Sequence, residues 1–128
     1  MAFNGQETLD LARQLQTTTP PGVSDEAARR CAVSRAYFAA FGHAIRYAVA
    51  YLGFEPREAA DDHGRLKAHL KQKRRAGVSA RLDQLRGWRN QCDYDDDAGD
   101  LVVMLAAAIT AAEYVFAALP PPAPRQTS

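Results

Sequence analysis

Apolar positions recur at helical rather than alternating spacing along this chain, and Ala, Leu and Arg, all strong helix formers, dominate its middle. Turn-forming residues divide it into about five helices. The first is expected over residues 6–16, with Leu9, Leu11 and Leu15, and "TTTPPG" ends it because proline cannot continue a helix. Ser24 then reads as an N-cap, with Asp25 and Glu26 against the positive end of the helix dipole. The second helix, residues 25–52, stops at Gly53. It carries one stripe of Cys31, Phe38, Phe41, Ile45, Val49 and Leu52, and another of Tyr37, Ala40, Ala44, Tyr47 and Tyr51. A helix apolar on two sides belongs at the centre of a bundle.

Pro56 suits the first turn of a third helix over 56–75, which Gly77 breaks, and Ser79 caps a fourth over 80–93. In the fourth, Leu82, Leu85 and either Trp88 or Arg89 share a face. The acidic "DYDDDAGD" is a turn, and Asp97 or Asp100 caps a fifth helix bearing Leu101, Leu105, Ile109, Tyr114 and Phe116. The expected fold is all-α: an up-and-down bundle of about five helices with a long central second helix. One domain spans 1–119, and a Pro-rich tail, 120–128, is expected to be disordered.

Composition adds little to this picture: 128 residues, 47% hydrophobic and 24% charged, fit one ordinary globular domain. The net charge of +1 gives the whole molecule no preference for nucleic acid or an anionic membrane. Its distribution matters more. Residues 63–91 hold nine Lys or Arg against the single acid Asp83, whereas residues 92–100 hold five aspartates and no base. Such a basic stretch is either a solvated helix face or the seat of an anionic partner, whether RNA phosphate or the acidic turn of a second subunit.

Cys31 and Cys92 lack a CxxC partner and the N-terminus has no secretory pattern, so a cytoplasmic protein with two reduced thiols is expected. Cys31 sits on an apolar stripe and is placed in the core; Cys92 reads as a buried or half-buried structural thiol. The alanine-rich segment 101–119 is interrupted by Thr110 and Glu113, which favours an amphipathic core helix over a membrane span.

Metal chemistry finds no ligand pattern: His63 and His69 are six apart, and Asp61 and Asp62 complete no familiar spacing. Neither a nucleophile elbow nor a Gly-rich phosphate loop is present. The stretch "LRGWRNQCDYDDD" is more informative, because Arg86, Arg89 or Asn90, and Asp93 lie along one side of a helix. Arg89 and Asp93 could simply be an ion pair that closes the helix. Alternatively, Arg89 clamps a phosphate with Asn90 and Tyr94 around it.

Together with "SRAYFAAFGHAIRYAVAYLG", that stretch resembles the two signature segments of HEPN-domain proteins, in the same order and at a similar separation. The resemblance covers about residues 25–117. It implies a small helical bundle, usually dimeric, and in many members a metal-independent endoribonuclease of toxin–antitoxin or defence systems. In that signature an Arg is followed after four to six residues by a His. The guanidinium holds the scissile phosphate while the imidazole moves a proton. Here Arg89 and Asn90 match the start, but Asp93 and Tyr94 stand where the His is needed.

The resemblance therefore implies a module that binds RNA, a nucleotide or a partner protein, a nucleotidyltransferase-like one among them, as a homodimer without metal or cofactor. Phosphate would be held by Arg86, Arg89, Lys71, Lys73, Arg74 and Arg75. The alternatives are an endoribonuclease with a variant site of Arg89, Asn90 and Tyr94, supported by His43 and Asp93, and a purely structural homodimeric module.

Overall fold

The computed structural model describes residues 3–120. They form five helices: α1 (Gly5–Thr17), α2 (Asp25–Tyr51), α3 (Asp62–Gln72), α4 (Ala76–Tyr94) and α5 (Leu101–Ala118). The fold is an all-α bundle, and α2 touches each of the other four helices. Side-chain caps start three of them. Asn4 accepts from the Glu7 amide, Ser24 from that of Ala27, and Asp100 from those of Val102 and Val103. Asp100, not Asp97, therefore begins α5. The tail expected over 120–128 lies outside the described residues apart from Pro120.

Helix α2 is central; of the two stripes, Tyr37, Ala40 and Ala44 of the second are buried, while the first stays at the rim or in solvent. Ala32, Ala36, Ala39, Ala40, Ala44 and Ala48 are fully buried, whereas Cys31 is exposed and Val49 and Tyr51 are about half exposed. Three neighbours press on α2 through alanine, whose small side chain lets backbones approach closely. Phe38, Phe41, Ile45 and Tyr47 are consequently displaced to the rim, half-buried against the core.

Helix α3 begins six residues later than Pro56 suggests. Glu58 takes a left-handed conformation (φ 53°) that no α-helix continues through. The Asp62 carboxylate then ties the loop down, accepting from the amides of Arg57 (3.0 Å) and Glu58 (2.9 Å) and from the Arg65 guanidinium (3.0 Å).

The α3–α4 break also differs from expectation. Arg74, not a glycine, is left-handed (φ 64°). The Arg75 amide donates to Leu70 O at 2.7 Å and the Arg74 amide to Lys71 O at 3.0 Å, the paired bonds of a Schellman motif. Helix α4 starts immediately, so Ser79 is a fully buried residue of its first turns rather than its cap. Gly77 lies inside the helix because the Tyr114 hydroxyl of α5 occupies the space a Cβ would take.

Segment Leu101–Ala118 is long and apolar enough to cross a membrane by length and composition, with a mean hydropathy of 2.0. Leu105, Ala108, Ile109, Ala112 and Val115 are buried in the core cluster, while Val102, Val103 and Tyr114 are exposed. Gly77→Ala should lower stability by about 1 kcal/mol, the low end for overpacking because Tyr114 is part-exposed and can shift. Urea unfolding should show most of that loss recovered when Tyr114→Phe is added.

Candidate functional site

The two signature-like segments meet in space, where α2 packs on α4. Arg89 lies with its guanidinium 5.1 Å from the Phe38 ring centre and 5.8 Å from that of Tyr37. Its Nε donates to Asp93 Oδ2 at 2.9 Å, one helical turn on. The ion pair foreseen between these residues is thus present, and it also fixes the arginine over an aromatic surface. Arg35 approaches the same Phe38 ring at 5.0 Å, so two guanidiniums share one aromatic side chain.

Beneath this surface is a histidine that local sequence spacing did not connect with Arg89. His63, the second residue of α3, is 6% exposed, and its Nδ1 lies 2.8 Å from the Tyr37 hydroxyl. Phe41 stacks on the ring at 5.7 Å. Nε2 is buried with no partner among the described residues. Whichever ring nitrogen carries the proton, one polar atom is unmatched, and such an atom costs about 1–3 kcal/mol.

The electrostatics are those of a buried base among cations. Burial first, then the charges of Arg86 and Lys67, lower the pKa of His63 from 6.5 to about 4, against a weaker opposing pull from Asp83. Burial raises that of Tyr37, which Arg86 and Arg89 partly counter. Both groups are therefore neutral at pH 7. Lys67 and Asp83 form their own ion pair at 2.6 Å, and the lysine holds the aspartate below the usual carboxylate range.

The remaining sequence candidates are dispersed. Asn90 is exposed on α4, and Tyr94, 73% exposed, lines an acidic cleft with Arg30, Asp93, Asp95 and Asp96. His43 points away from Arg89, stacking on Phe116 at 4.3 Å with Nε2 donating to Leu119 O at 2.8 Å. Lys71, Lys73, Arg74 and Arg75 gather at the α3–α4 turn, where Arg75 bonds Lys73 O and lies over Tyr47. From Arg75 to Arg89 is about 20 Å of helix rise, so the basic stretch forms two separate patches. Cys92 is buried against Met104, and burial raises its thiol pKa.

Arg30, absent from the sequence candidates, organises the acidic end. It donates to the carbonyls of Cys92 (2.8 Å), Asp95 (2.7 Å) and Asp96 (2.8 Å), satisfying acceptors that the end of α4 leaves free. The acidic turn is thus held by an arginine from the start of α2.

No family model, curated protein or solved structure matches the chain.

Two outcomes follow from this chemistry. Between pH 6.5 and about 4 the unfolded chain takes up a proton that folded His63 refuses, so stability should fall as pH falls through this window. The full effect is about 3 kcal/mol, at 1.36 kcal/mol per pH unit. The lowered carboxyls of Asp62 and Asp83 act only below their usual value of 3.8. Urea midpoints measured from pH 4 to 7 should show the slope, and His63→Gln should flatten it. Arg30→Ala should lower stability by about 2 kcal/mol through loss of charged hydrogen bonds, with an unchanged urea m-value.

Proposed function

We propose that this protein is a HEPN-like module that binds RNA or a nucleotide by its phosphate at the Arg86–Arg89 edge of α4. One observation carries the reading: Arg89 is held by Asp93 over Phe38 and Tyr37, with the Arg86 charge acting on the buried Tyr37 and His63. A guanidinium already oriented loses little rotamer freedom on meeting a phosphate, and its planar fork suits two phosphate oxygens. The aromatic rim offers nucleobases a surface on which stacking is tolerant of sequence. The patch at the α3–α4 turn extends the track along a longer strand. The resemblance further suggests a homodimer and a nucleotidyltransferase-like partner.

The test is binding of single-stranded RNA followed by fluorescence anisotropy over a range of salt. Affinity should fall with salt, and Arg86→Ala and Arg89→Ala should each weaken it and reduce the slope by about 0.7. Binding undiminished in both variants overturns the reading.

A second reading, a metal-independent endoribonuclease, draws its support from His63. This histidine reaches the same cluster from α3, its Nδ1 lying 2.8 Å from the Tyr37 hydroxyl. Neither His43 nor Tyr94 is so placed. Cleavage of single-stranded RNA in EDTA, lost in both Arg89→Ala and His63→Gln, is the outcome this reading expects. RNA left intact at high protein concentration rules it out.

A further inference from the structure

A cavity of about 620 Å³ opens between the start of α1, the later turns of α2 and the last turn of α5. Five rings bound it: Phe3, His43, Tyr47, Tyr51 and Phe116. The Phe3 ring lies against α2 in the space that a side chain at Gly42 would take. His43 stacks on Phe116 at 4.3 Å, and its Nε2 carries a proton because Leu119 O can only accept. Tyr47 and Tyr51, one helical turn apart, meet edge to face at 4.9 Å. Tyr51 is 51% exposed, which leaves ring surface on which a ligand can stack. Phe38 and Tyr47 are about 14 Å apart along α2, so the cavity is separate from the Arg86–Arg89 edge.

The fixed charge in the lining is of one sign. Arg46 supplies it, and no carboxylate lines the cavity among the described residues. Its guanidinium rests 4.1 Å from the Phe3 ring centre, and Nη1 donates to Gly42 O at 3.2 Å. Arg46 makes no ion pair among the described residues. Further N–H donors of its fork therefore remain for a ligand. Arg75, from the α3–α4 turn, approaches the Tyr47 ring at 5.9 Å and brings a second positive charge to the border. Aromatic rings can also surround a cation, but here Arg46 repels one and no acid in the lining offsets it.

We infer that this cavity binds a planar aromatic anion, its ring stacked against Tyr47 and Tyr51 and its acid group held by Arg46. The volume falls within the roughly 300–1,000 Å³ of small-ligand sites, where apolar walls with a few placed polar groups are the rule. Arg46 is braced on Phe3 and tied to Gly42 O, so its fork loses little freedom on meeting a carboxylate or phosphate. An aromatic carboxylate and a nucleoside monophosphate both offer this chemistry. The inference goes beyond the phosphate-binding reading and does not depend on it.

The probes are salicylate and adenosine monophosphate, with salicylamide and adenosine as their uncharged counterparts and inorganic phosphate as an anion without a ring. Each is titrated into the full chain while NMR follows the Tyr47, Tyr51 and His43 ring signals and the Arg46 Nε–H. At least one aromatic anion should shift this set saturably, about tenfold or more tighter than its uncharged counterpart or phosphate. The tighter of the two identifies the acid group that the cavity prefers. Arg46→Gln, at an exposed position, should weaken binding about tenfold. Tyr51→Leu, also exposed, should weaken it about fivefold through lost stacking. Unchanged amide spectra away from the cavity establish that both variants are folded.

If neither aromatic anion moves the Tyr47 and Tyr51 signals, the inference is overturned. Shifts confined to the Arg86 and Arg89 Nε–H signals also overturn it, and they leave the phosphate-binding reading standing. Uncharged counterparts that bind as tightly, or full affinity in Arg46→Gln, remove the anion from the site and overturn it as well. Phosphate alone binding as tightly does the same for the ring.

Discussion

The bundle depends on the close approach that the alanines of α2 permit. Fully buried residues at positions 32, 36, 39, 40, 44 and 48 let α1, α4 and α5 pack around one helix. Interiors are as dense as organic crystals, so a core lined with small residues takes in few large rings, Tyr37 and Phe54 among them. The rings of Phe38, Phe41 and Tyr47 are left at the boundary between core and solvent. That boundary is where Arg35, Arg75 and Arg89 rest their guanidiniums. The aromatic and cationic character of the candidate site thus follows from how the core is packed.

Helix content and the central role of α2 were legible because capping residues, proline breaks and helical periodicity act locally. The misreadings arose where a specific side-chain contact intervened. Gly77 looked like a breaker because nothing nearby in sequence announces the Tyr114 hydroxyl. Pro56 looked like a helix start because residue type does not announce that the Asp62 carboxylate, a few residues on, holds the Arg57 and Glu58 amides in a loop. Periodicity placed Tyr37, Ala40 and Ala44 on a buried face of α2, but it could not show that Ala32, Ala36, Ala39 and Ala48, and not the Phe38–Phe41–Ile45 stripe, complete that face.

The site divides in the same way. Arg89 and Asp93 share one helical face and could be paired by inspection. Local spacing ties His63 to no other site residue, because its Tyr37 partner lies 26 residues away on another helix. The "SRAYF" segment held the clue, since it places Tyr37 and Phe38 in the part of α2 that meets α4. The concentration of bases along the sequence, by contrast, overstated a single surface, because helix rise carries the α3–α4 turn about 20 Å from Arg89.

Arg30 has a topological consequence. By binding the carbonyls of residues 92, 95 and 96, it closes the chain between the start of α2 and the end of α4 into a ring. Tyr37, His63, Arg86 and Arg89 all lie within that ring, while α1 and α5 lie outside it. Closing so long a segment is only slightly harder than closing a short one, because the entropy grows with the logarithm of length. A single side chain can therefore act as a clasp for the whole α2–α3–α4 circuit. Releasing it would loosen the Arg86–Arg89 edge of α4 without detaching either flanking helix.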